Sequence, residues 1–364
     1  MLIFAAIYIF IQVLLLAGFL KYLKSSRGYS DNLKISVITA SRNEADNIKN
    51  FILASSGLDY PSENFELIIV DDNSTDDTYK LSEELIGRKE NFRIIHCGDK
   101  SLPAKRGALL KGIEESSYPY IMITDADCIP SSGWLRTASA LFEQGYNFIF
   151  GSAPLLRKEN NFISSVSCME NLKNHFLSFS LASLGLPYTA AARSMGFSKE
   201  AFFKIGGYNN TLDTLSGDDD LLLREAVRNK LKIKAIYDED ALVFSHTPSS
   251  LTEYLTQKTR HTQSSFHYLF KHKLILSSWH LLNLFMIFSP VLMIVDTQFI
   301  WVFSLRVLTA MVIFSMIQGK FGYKFNPLEM LWYDIICEVF IVFNFFNALF
   351  RKPEWKQNRK DQPG

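Results

Sequence analysis

YIMITDAD, residues 120–127, is the stretch on which the fold turns. An unbroken apolar run passes directly into a polar Thr-Asp-Ala-Asp, as expected of a strand buried on both faces that ends at an open edge. The same arrangement recurs upstream. ISVITA (35–40) runs into Ser41-Arg42-Asn43-Glu44, ELIIVDD (66–72) ends on Asp71-Asp72, and RIIH (93–96) is a shorter third run; FIFGS (148–152) follows downstream. Amphipathic stretches alternate with these strands. Helices are predicted from about Glu44 to Ser56, over 76–87 with Ser74 or Thr75 as N-cap, from Ala104 to about Glu115, and from near Ser131 or Ser132. Alternation of this kind predicts an α/β fold, a mostly parallel sheet covered by helices.

Ligands of open α/β sheets bind outside the carboxyl ends of the strands. Here three strands deliver polar or acidic groups to that edge. No G-x-G-x-x-G follows the first strand, so a dinucleotide oxidoreductase loses its main support. Asp125-x-Asp127 puts two hard oxygen ligands on one side of the pleat, suited to Mg²⁺ or Mn²⁺. Asp71-Asp72 either caps the next helix or accepts hydrogen bonds from the base or ribose of a nucleotide. Lys105 and Arg106 are placed to meet phosphate. His246 follows the strand ALVFS; a loop residue is the plainer reading, a metal ligand the sharper one.

The second half is looser: a helix over 162–183, then GFSKEAFFKIGGYNN (196–210), then SGDDDLLLREAVRN (216–229). Asp218, Asp219 and Asp220 open that last helix, where the positive dipole end favours carboxylates. An amphipathic helix runs from Leu251 to Lys271. Lys+Arg number 38 against 37 Asp+Glu, a net charge of +1 that argues against a nucleic-acid partner. Four scattered cysteines show no C-x-x-C spacing and read as buried thiols in a reducing compartment.

Apolar residues concentrate at the two ends. Residues 2–20 carry no charge and are long enough to cross a bilayer; Lys21, Lys24 and Arg27 follow and favour the cytoplasm. A cleaved signal peptide is the competing reading, but no basic n-region or A-x-A-like site supports it. Three more apolar segments span 274–295, 298–317 and 328–350, and the terminal RKPEWKQNRK is basic. Arg306, Asp334, Glu338, Asn344 and Asn347 interrupt them, so these segments are expected to face one another or to lie partly in the interface. Four crossings would place both termini on one side, against the flanking charges, so the segment 328–350 is expected to be re-entrant or interfacial.

SVITASRNEADNIKNFI, ELIIVDDNSTDDT, AKRGALLKGI, ITDADCIPSSGWL, FSKEAFFKIGGYNN, SGDDDLLL and QKTRH stand in the order and spacing of family-2 glycosyltransferases. The chain resembles in particular the membrane-bound group with ceramide glucosyltransferase and the cellulose, chitin and hyaluronan synthases. That resemblance covers about residues 33–265. It implies a GT-A fold with N- and C-terminal membrane helices, and inverting transfer from a nucleotide-sugar, UDP-linked by preference. Carried over to this chain, Ala40, Arg42, Asn43, Glu44, Asp71 and Asp72 would form the nucleotide pocket. Lys105 would lie near the diphosphate and Asp125 and Asp127 would hold the metal. Asp218 would be the general base of the T-E-D motif, with Asp219 adjacent as an alternative. Gln257 and Arg260 match Q-x-x-R-W. Two departures stand out: Gly217 replaces the glutamate of T-E-D, and His261 replaces the tryptophan on the acceptor side.

The domain division expected is 1–27 anchor, 28–273 cytoplasmic GT-A domain, 274–350 membrane segments and 351–364 basic tail. The expected setting is a multi-pass protein of the plasma (inner) membrane with a lipid, lipid-linked or glycan acceptor. A processive polysaccharide synthase, a nucleotidyltransferase on the same fold and a non-catalytic nucleotide-sugar-binding membrane protein are the rival readings.

Overall fold

A computed structural model of the chain describes residues 2–24, 28–87 and 89–350; Arg27 and the basic tail 351–364 lie outside them. The chain opens with helix α1 (Leu2–Leu23) and then alternates strands and helices. These are β1 (Ile35–Ser41), α2 (Ile48–Ser56), β2 (Phe65–Asp71), α3 (Thr78–Ile86), β3 (Phe92–His96), α4 (Lys105–Glu115) and β4 (Tyr120–Ile123). Next come β5 (Ile129–Pro130), α5 (Trp134–Glu143), β6 (Phe148–Gly151), β7 (Leu155–Leu156), α6 (Phe162–Ser183), β8 (Met195–Ser198) and α7 (Lys199–Lys204). The remainder is α8 (Asp218–Arg228), β9 (Ile233–Ile236), β10 (Val243–His246), α9 (Leu251–Ser265), α10 (Phe270–Phe288), α11 (Phe299–Ile317) and α12 (Pro327–Phe350).

The main sheet has the order β3-β2-β1-β4-β8-β6-β9. β1 pairs in parallel with β2 and β4, as the apolar runs predict, whereas β8 lies antiparallel between β4 and β6. A small sheet, β5-β10-β7, stands beside it. Apolar side chains of the main sheet form cores on both faces: Ile38, Ile68 and Val70 toward α4 and α6, Val37, Leu67 and Ile69 toward α2 and α5. α4 approaches closely because Gly112 has no side chain; a Cβ there would fall 2.5 Å from Ile38 Cγ2.

Element boundaries differ from the sequence reading where turns intervene. α2 starts at Ile48, because Asn43 adopts a positive φ of 55° and a turn occupies the next residues. α3 starts at Thr78, with Asp76 accepting from its backbone N–H at 3.1 Å in place of Ser74 or Thr75. β4 ends at Ile123, opposite Met195 of β8. Asp125 and Asp127 therefore occupy a turn beyond the strand, closed by Cys128 N–H donating to the Asp125 carbonyl (3.1 Å). The shared pleat expected for the two carboxylates is replaced by an Asx-rich turn.

Among the described residues, four helices are long and apolar enough to cross a membrane: Ile3–Leu23, Phe270–Ile294, Phe299–Phe321 and Pro327–Phe350. α1 packs along α6, and its last turns enter the core. The Tyr22 ring stacks on Phe179 at 4.3 Å, and its hydroxyl shares a hydrogen bond with Ser152 Oγ (2.7 Å) and donates to the Ile236 carbonyl (2.8 Å). Three of the polar residues that interrupt the C-terminal segments meet, whereas Asn347 donates to Thr259 Oγ1 of α9. Arg306 of α11 pairs with Asp334 and Glu338 of α12, and Lys173 of α6 binds the same two carboxylates at 2.5 and 2.8 Å. Arg306→Leu leaves two buried carboxylates facing one lysine and is expected to cost about 3–5 kcal/mol. Thermal unfolding in detergent should show this loss, with Arg306→Lys recovering most of it.

Candidate active site

The loops after β1 and β2 are knitted together. Asn43 N–H donates to Ser74 Oγ (3.1 Å) and its side-chain carbonyl accepts from Thr75 N–H (2.8 Å). Glu44 N–H donates to Thr78 Oγ1 at 2.8 Å. Asn43 and the backbone of Glu44 thus join the two loops, with Ala40 and Arg42 half-buried beside them. Asp71 does serve a turn, through Oδ2 and the Ser74 N–H (3.3 Å), but its Oδ1 is buried without a protein partner. Ser41 Oγ, Thr39 Oγ1 and Thr124 Oγ1 are also buried and unpartnered along these strand ends. Buried polar atoms are almost always satisfied, so a cluster of orphans marks a place where a polar ligand belongs. Asp72 is held by Lys100 at 2.8 Å, a lysine that motif reasoning passed over.

Asp125, Asp127 and Cys128 bring one potential ligand atom each within 4.8 Å of one another. The buried Cys128 thiol is pushed well above its ordinary pKa by burial and by the two aspartates, and it points at Asp127 Oδ1 (3.4 Å). It remains a thiol, which leaves the two carboxylates as hard oxygen donors fit for Mg²⁺ or Mn²⁺. His246 ends β10 with an exposed side chain and is not part of this group. Lys105 contacts Asp125 directly. Burial opposes its charge, but Asp125 and Asp218 outweigh that and raise its pKa.

The three aspartates at the start of α8 have different surroundings. Asp219 Oδ2 accepts from Ala192 N–H (2.9 Å). Asp220 accepts from Thr189 Oγ1 (2.6 Å), Ala190 N–H (3.1 Å) and the Tyr268 hydroxyl (2.6 Å). Both therefore fasten the 189–192 segment to α8. Asp218 is 9% exposed, and its Oδ2 has no hydrogen-bond partner among the described residues. Burial and the adjacent Asp220 and Asp218 push the Asp219 carboxyl well above the usual range, so it tends to keep its proton. Arg106, read from sequence as a phosphate contact, is 1% exposed and instead donates to Thr211 Oγ1 (2.9 Å) and to the Leu215 and Ser216 carbonyls (3.2 and 2.9 Å).

Helix α9 forms the opposite wall. Its Arg260 carbonyl accepts from Ser216 Oγ (3.3 Å) and Ser264 Oγ (3.2 Å), which ties α9 to the turn before Asp218. Gln257 is half-buried beside Lys258, which pairs with Glu170 at 3.0 Å. The His261 side chain is exposed on α9. Desolvation by its surroundings, then the nearby cations Lys258, Arg260 and Arg193, lower its pKa. Arg193, which donates to Ser245 Oγ, is a cation of this region that no motif signalled. A depression of about 460 Å³ against Asn209, Asp213, Arg224 and Arg228 lies elsewhere, and Arg224 is committed there to Asp213 and Glu225.

Gly217 explains one departure from T-E-D. Its φ is 79°, and a Cβ would stand 2.6 Å from Ser264 Oγ. Gly217→Ala is expected to cost about 1–3 kcal/mol through the left-handed backbone and to displace Asp218. A lower melting temperature together with a lower kcat is the expected result.

Residues 36–205 match the model of glycosyl transferase family 2. Among curated proteins, glycosyltransferase AglE of Haloferax volcanii is 29% identical over 119 residues, 32% of this chain and 38% of the relative. Beta-monoglucosyldiacylglycerol synthase of Nostoc sp. is 24% identical over 191 residues, 52% of this chain and 40% of the relative. Poly-beta-1,6-N-acetyl-D-glucosamine synthase of Staphylococcus aureus is 36% identical over 95 residues, 26% of this chain and 22% of the relative. The chain thus matches less than half the length of each. Among solved structures, the mannosyltransferase PcManGT from Pyrobaculum calidifontis, in complex with GDP-Man and Mn²⁺, superposes with a TM-score of 0.53 at 16% identity, covering 95% of this chain and 99% of that one. The α/β fold is that of the GT-A enzymes, and the chain carries a family-2 glycosyltransferase domain.

Proposed function

We propose that the protein is a metal-dependent, inverting glycosyltransferase that moves a sugar from a nucleotide-sugar, by preference UDP-linked, to a lipid or lipid-linked acceptor at a membrane. The observation that carries this reading is the position of Lys105. It contacts Asp125 on the metal side and feels the charge of Asp218 on the other, so the two acidic groups face one compact space. The orphaned Ser41, Asp71 and Thr124 oxygens would receive the nucleotide. Asp125 and Asp127 would hold the divalent ion, Mg²⁺ or Mn²⁺, which when bound neutralises charge on the departing diphosphate.

The chain's own groups divide the remaining work. Lys105 and Arg260 offset the negative charge that develops on the leaving group. Asp218 takes the proton of the acceptor hydroxyl, for which its unpartnered buried oxygen is free. One base on one side of the anomeric carbon gives inversion. Asp219 is the weaker candidate, because its carboxyl is spent on Ala192 and burial raises its pKa. His261 and Gln257 would border the acceptor, and the neutral imidazole offers a small face and a hydrogen bond. In this reading residues 28–273 form the catalytic domain on the cytoplasmic side, between the anchor 1–27 and the segments 274–350. The Nostoc relative, named for a glucosyldiacylglycerol product, supports a lipid acceptor.

Asp218→Asn is expected to leave nucleotide binding intact and lower turnover about 10²–10⁴-fold. Asp219→Asn should retain most activity, because an amide mimics a protonated carboxyl. It should also not lower the melting temperature near neutral pH. A carboxyl whose folded pKa is raised costs stability as pH climbs from the unfolded value toward the folded one, and the amide removes that cost. The reverse ranking would make Asp219 the base.

Membranes containing the chain, given labelled nucleotide-sugars and Mn²⁺, are expected to yield a discrete organic-soluble glycolipid, lost on chelation and restored by the metal. A high-molecular-weight polysaccharide would overturn the acceptor assignment.

A further inference from the structure

Arg193 stands in a short turn, Ala192–Ser194, whose place is fixed from both sides. Before it, Asp219 accepts from Ala192 N–H at 2.9 Å and Asp220 from Ala190 N–H at 3.1 Å, both at the start of α8. After it, the buried Ser194 Oγ accepts from Trp134 Nε1 of α5 at 3.0 Å, and β8 begins at once. The guanidinium donates to Ser245 Oγ of β10. β10 runs antiparallel to β5, with Phe244 opposite Ile129. Ser245 is the next residue, level with Cys128 and one step from Asp127. Arg193 therefore bridges the turn that carries the metal aspartates and the helix that carries Asp218. Its charge acts on the Cys128 thiol, which Asp127 and Asp125 push the other way, and on His261 of α9.

Several cations of this region are already engaged. Lys100 is paired with Asp72, Lys105 with Asp125 and Lys258 with Glu170, and Arg106 is spent on Thr211 and two carbonyls. Arg193 is different. Among the described residues no carboxylate pairs with it, and Ser245 Oγ takes one of its N–H donors. The side chain is half-buried, so it bears part of the cost of desolvation with no counter-ion to offset it. A guanidinium held in this way suits an anion that accepts two parallel N–H bonds, as phosphate does. In the proposed function the donor diphosphate lies among the divalent ion, Lys105 and Arg260. Arg193 belongs to the border marked by His261. Its anchor Ser245 is paired with Leu155 of β7, and Leu155 N–H donates to Tyr323 Oη in the link between α11 and α12 at 2.7 Å. The cation is thus mounted on strands tied to the membrane helices.

We propose that Arg193 is a specificity-determining residue on the acceptor side, which binds a phosphate group carried by the lipid, between the metal turn and His261. A phosphate-bearing lipid is then preferred to a neutral one of the same chain length. Asp219 and Asp220 gain a use from this assignment. By holding the segment before Arg193 they fix the cation relative to Asp218, and so the anchored phosphate relative to the base. The inference rests on the proposed function for the identity of the cleft and deepens it by giving the acceptor a charge.

The test uses the full chain in detergent, as wild type, Arg193→Gln and Arg193→Lys, and reads the two sides of the cleft separately. UDP with Mn²⁺ reports the donor side. Dioctanoyl phosphatidate, dioctanoylglycerol and inorganic phosphate report the acceptor side, each through the rise in melting temperature it produces. Phosphatidate is expected to stabilise the wild type, and the other two to do so much less. Arg193→Gln should weaken phosphatidate about 10–100-fold, the scale of a lost charged hydrogen bond, with UDP binding unchanged. Arg193→Lys should retain part of the affinity, since it keeps the charge without the planar fork. An equal loss of UDP binding makes Arg193 a donor residue and overturns the proposal. Phosphatidate binding indifferent to Arg193→Gln, or dioctanoylglycerol or inorganic phosphate binding as well as phosphatidate, also overturns it. If the glutamine variant does not fold, the lysine variant decides, and phosphatidate affinity equal to wild type overturns the proposal. A wild type that binds UDP and transfers sugar while ignoring phosphatidate keeps the proposed function and loses this inference. One that binds phosphatidate through Arg193 but no nucleotide keeps the phosphate site and loses the proposed function.

Discussion

The guanidinium of Arg106 lies inside the protein and spends its donors on Thr211 Oγ1 and on the carbonyls of Leu215 and Ser216. Burial works against its charge, Asp218 supports it, and an arginine so placed tolerates little movement of its acceptors. Arg106 belongs to the first turn of α4 and follows Lys105, whereas Leu215 and Ser216 lead directly into Asp218. One buried cation therefore fixes the distance between the start of α4 and the acidic start of α8. Asp125 joins the same frame through Lys105.

Gly217 and Ser264 extend that constraint to α9. The left-handed turn at Gly217 lets the chain pass within van der Waals contact of α9, and Ser216 and Ser264 both donate to the Arg260 carbonyl. A glutamate at 217, as in T-E-D, has neither the backbone freedom nor the space for this approach. The substitution thus follows from a closer seating of α9 on α8, with Asp218 and Arg260 both retained. Asp219 and Asp220, which look like spare acids in the sequence, hold the segment before β8 in place.

Legibility in the sequence followed the range of the interactions. β1, β2 and β4 were readable because each is a continuous apolar run buried on both faces, and their polar ends marked the cleft. β8 was not: Met-Gly-Phe-Ser is short, and its antiparallel place between β4 and β6 is set by partners distant in sequence. The sequence singled out Asp71, Asp125 and Asp218, but not the different surroundings of three consecutive aspartates, which depend on where Thr189, Ala192 and Tyr268 arrive. Arg106 was misread for the same reason, since a basic residue after a strand looks alike whether it faces phosphate or backbone carbonyls. Lys100 and Arg193 stand in no motif, and only the packing reveals them.

The membrane helices and the cleft are mechanically one body. α6 carries Glu170 and Lys173 one turn apart: Glu170 binds Lys258 of α9, and Lys173 binds Asp334 and Glu338, which also hold Arg306 of α11. This chain of ion pairs runs from the wall bearing Arg260 and His261 to the interior of the membrane bundle. Such pairs add little net stability, because desolvation offsets much of their attraction, but they penalise every misplaced arrangement strongly. Their effect is to hold the open end of the cleft at one height and tilt above the apolar helices. In the proposed function, an acceptor anchored in the bilayer would then meet Asp218 in a restricted range of positions, so that much of the entropy of bringing two reactants together would already be removed by the fold.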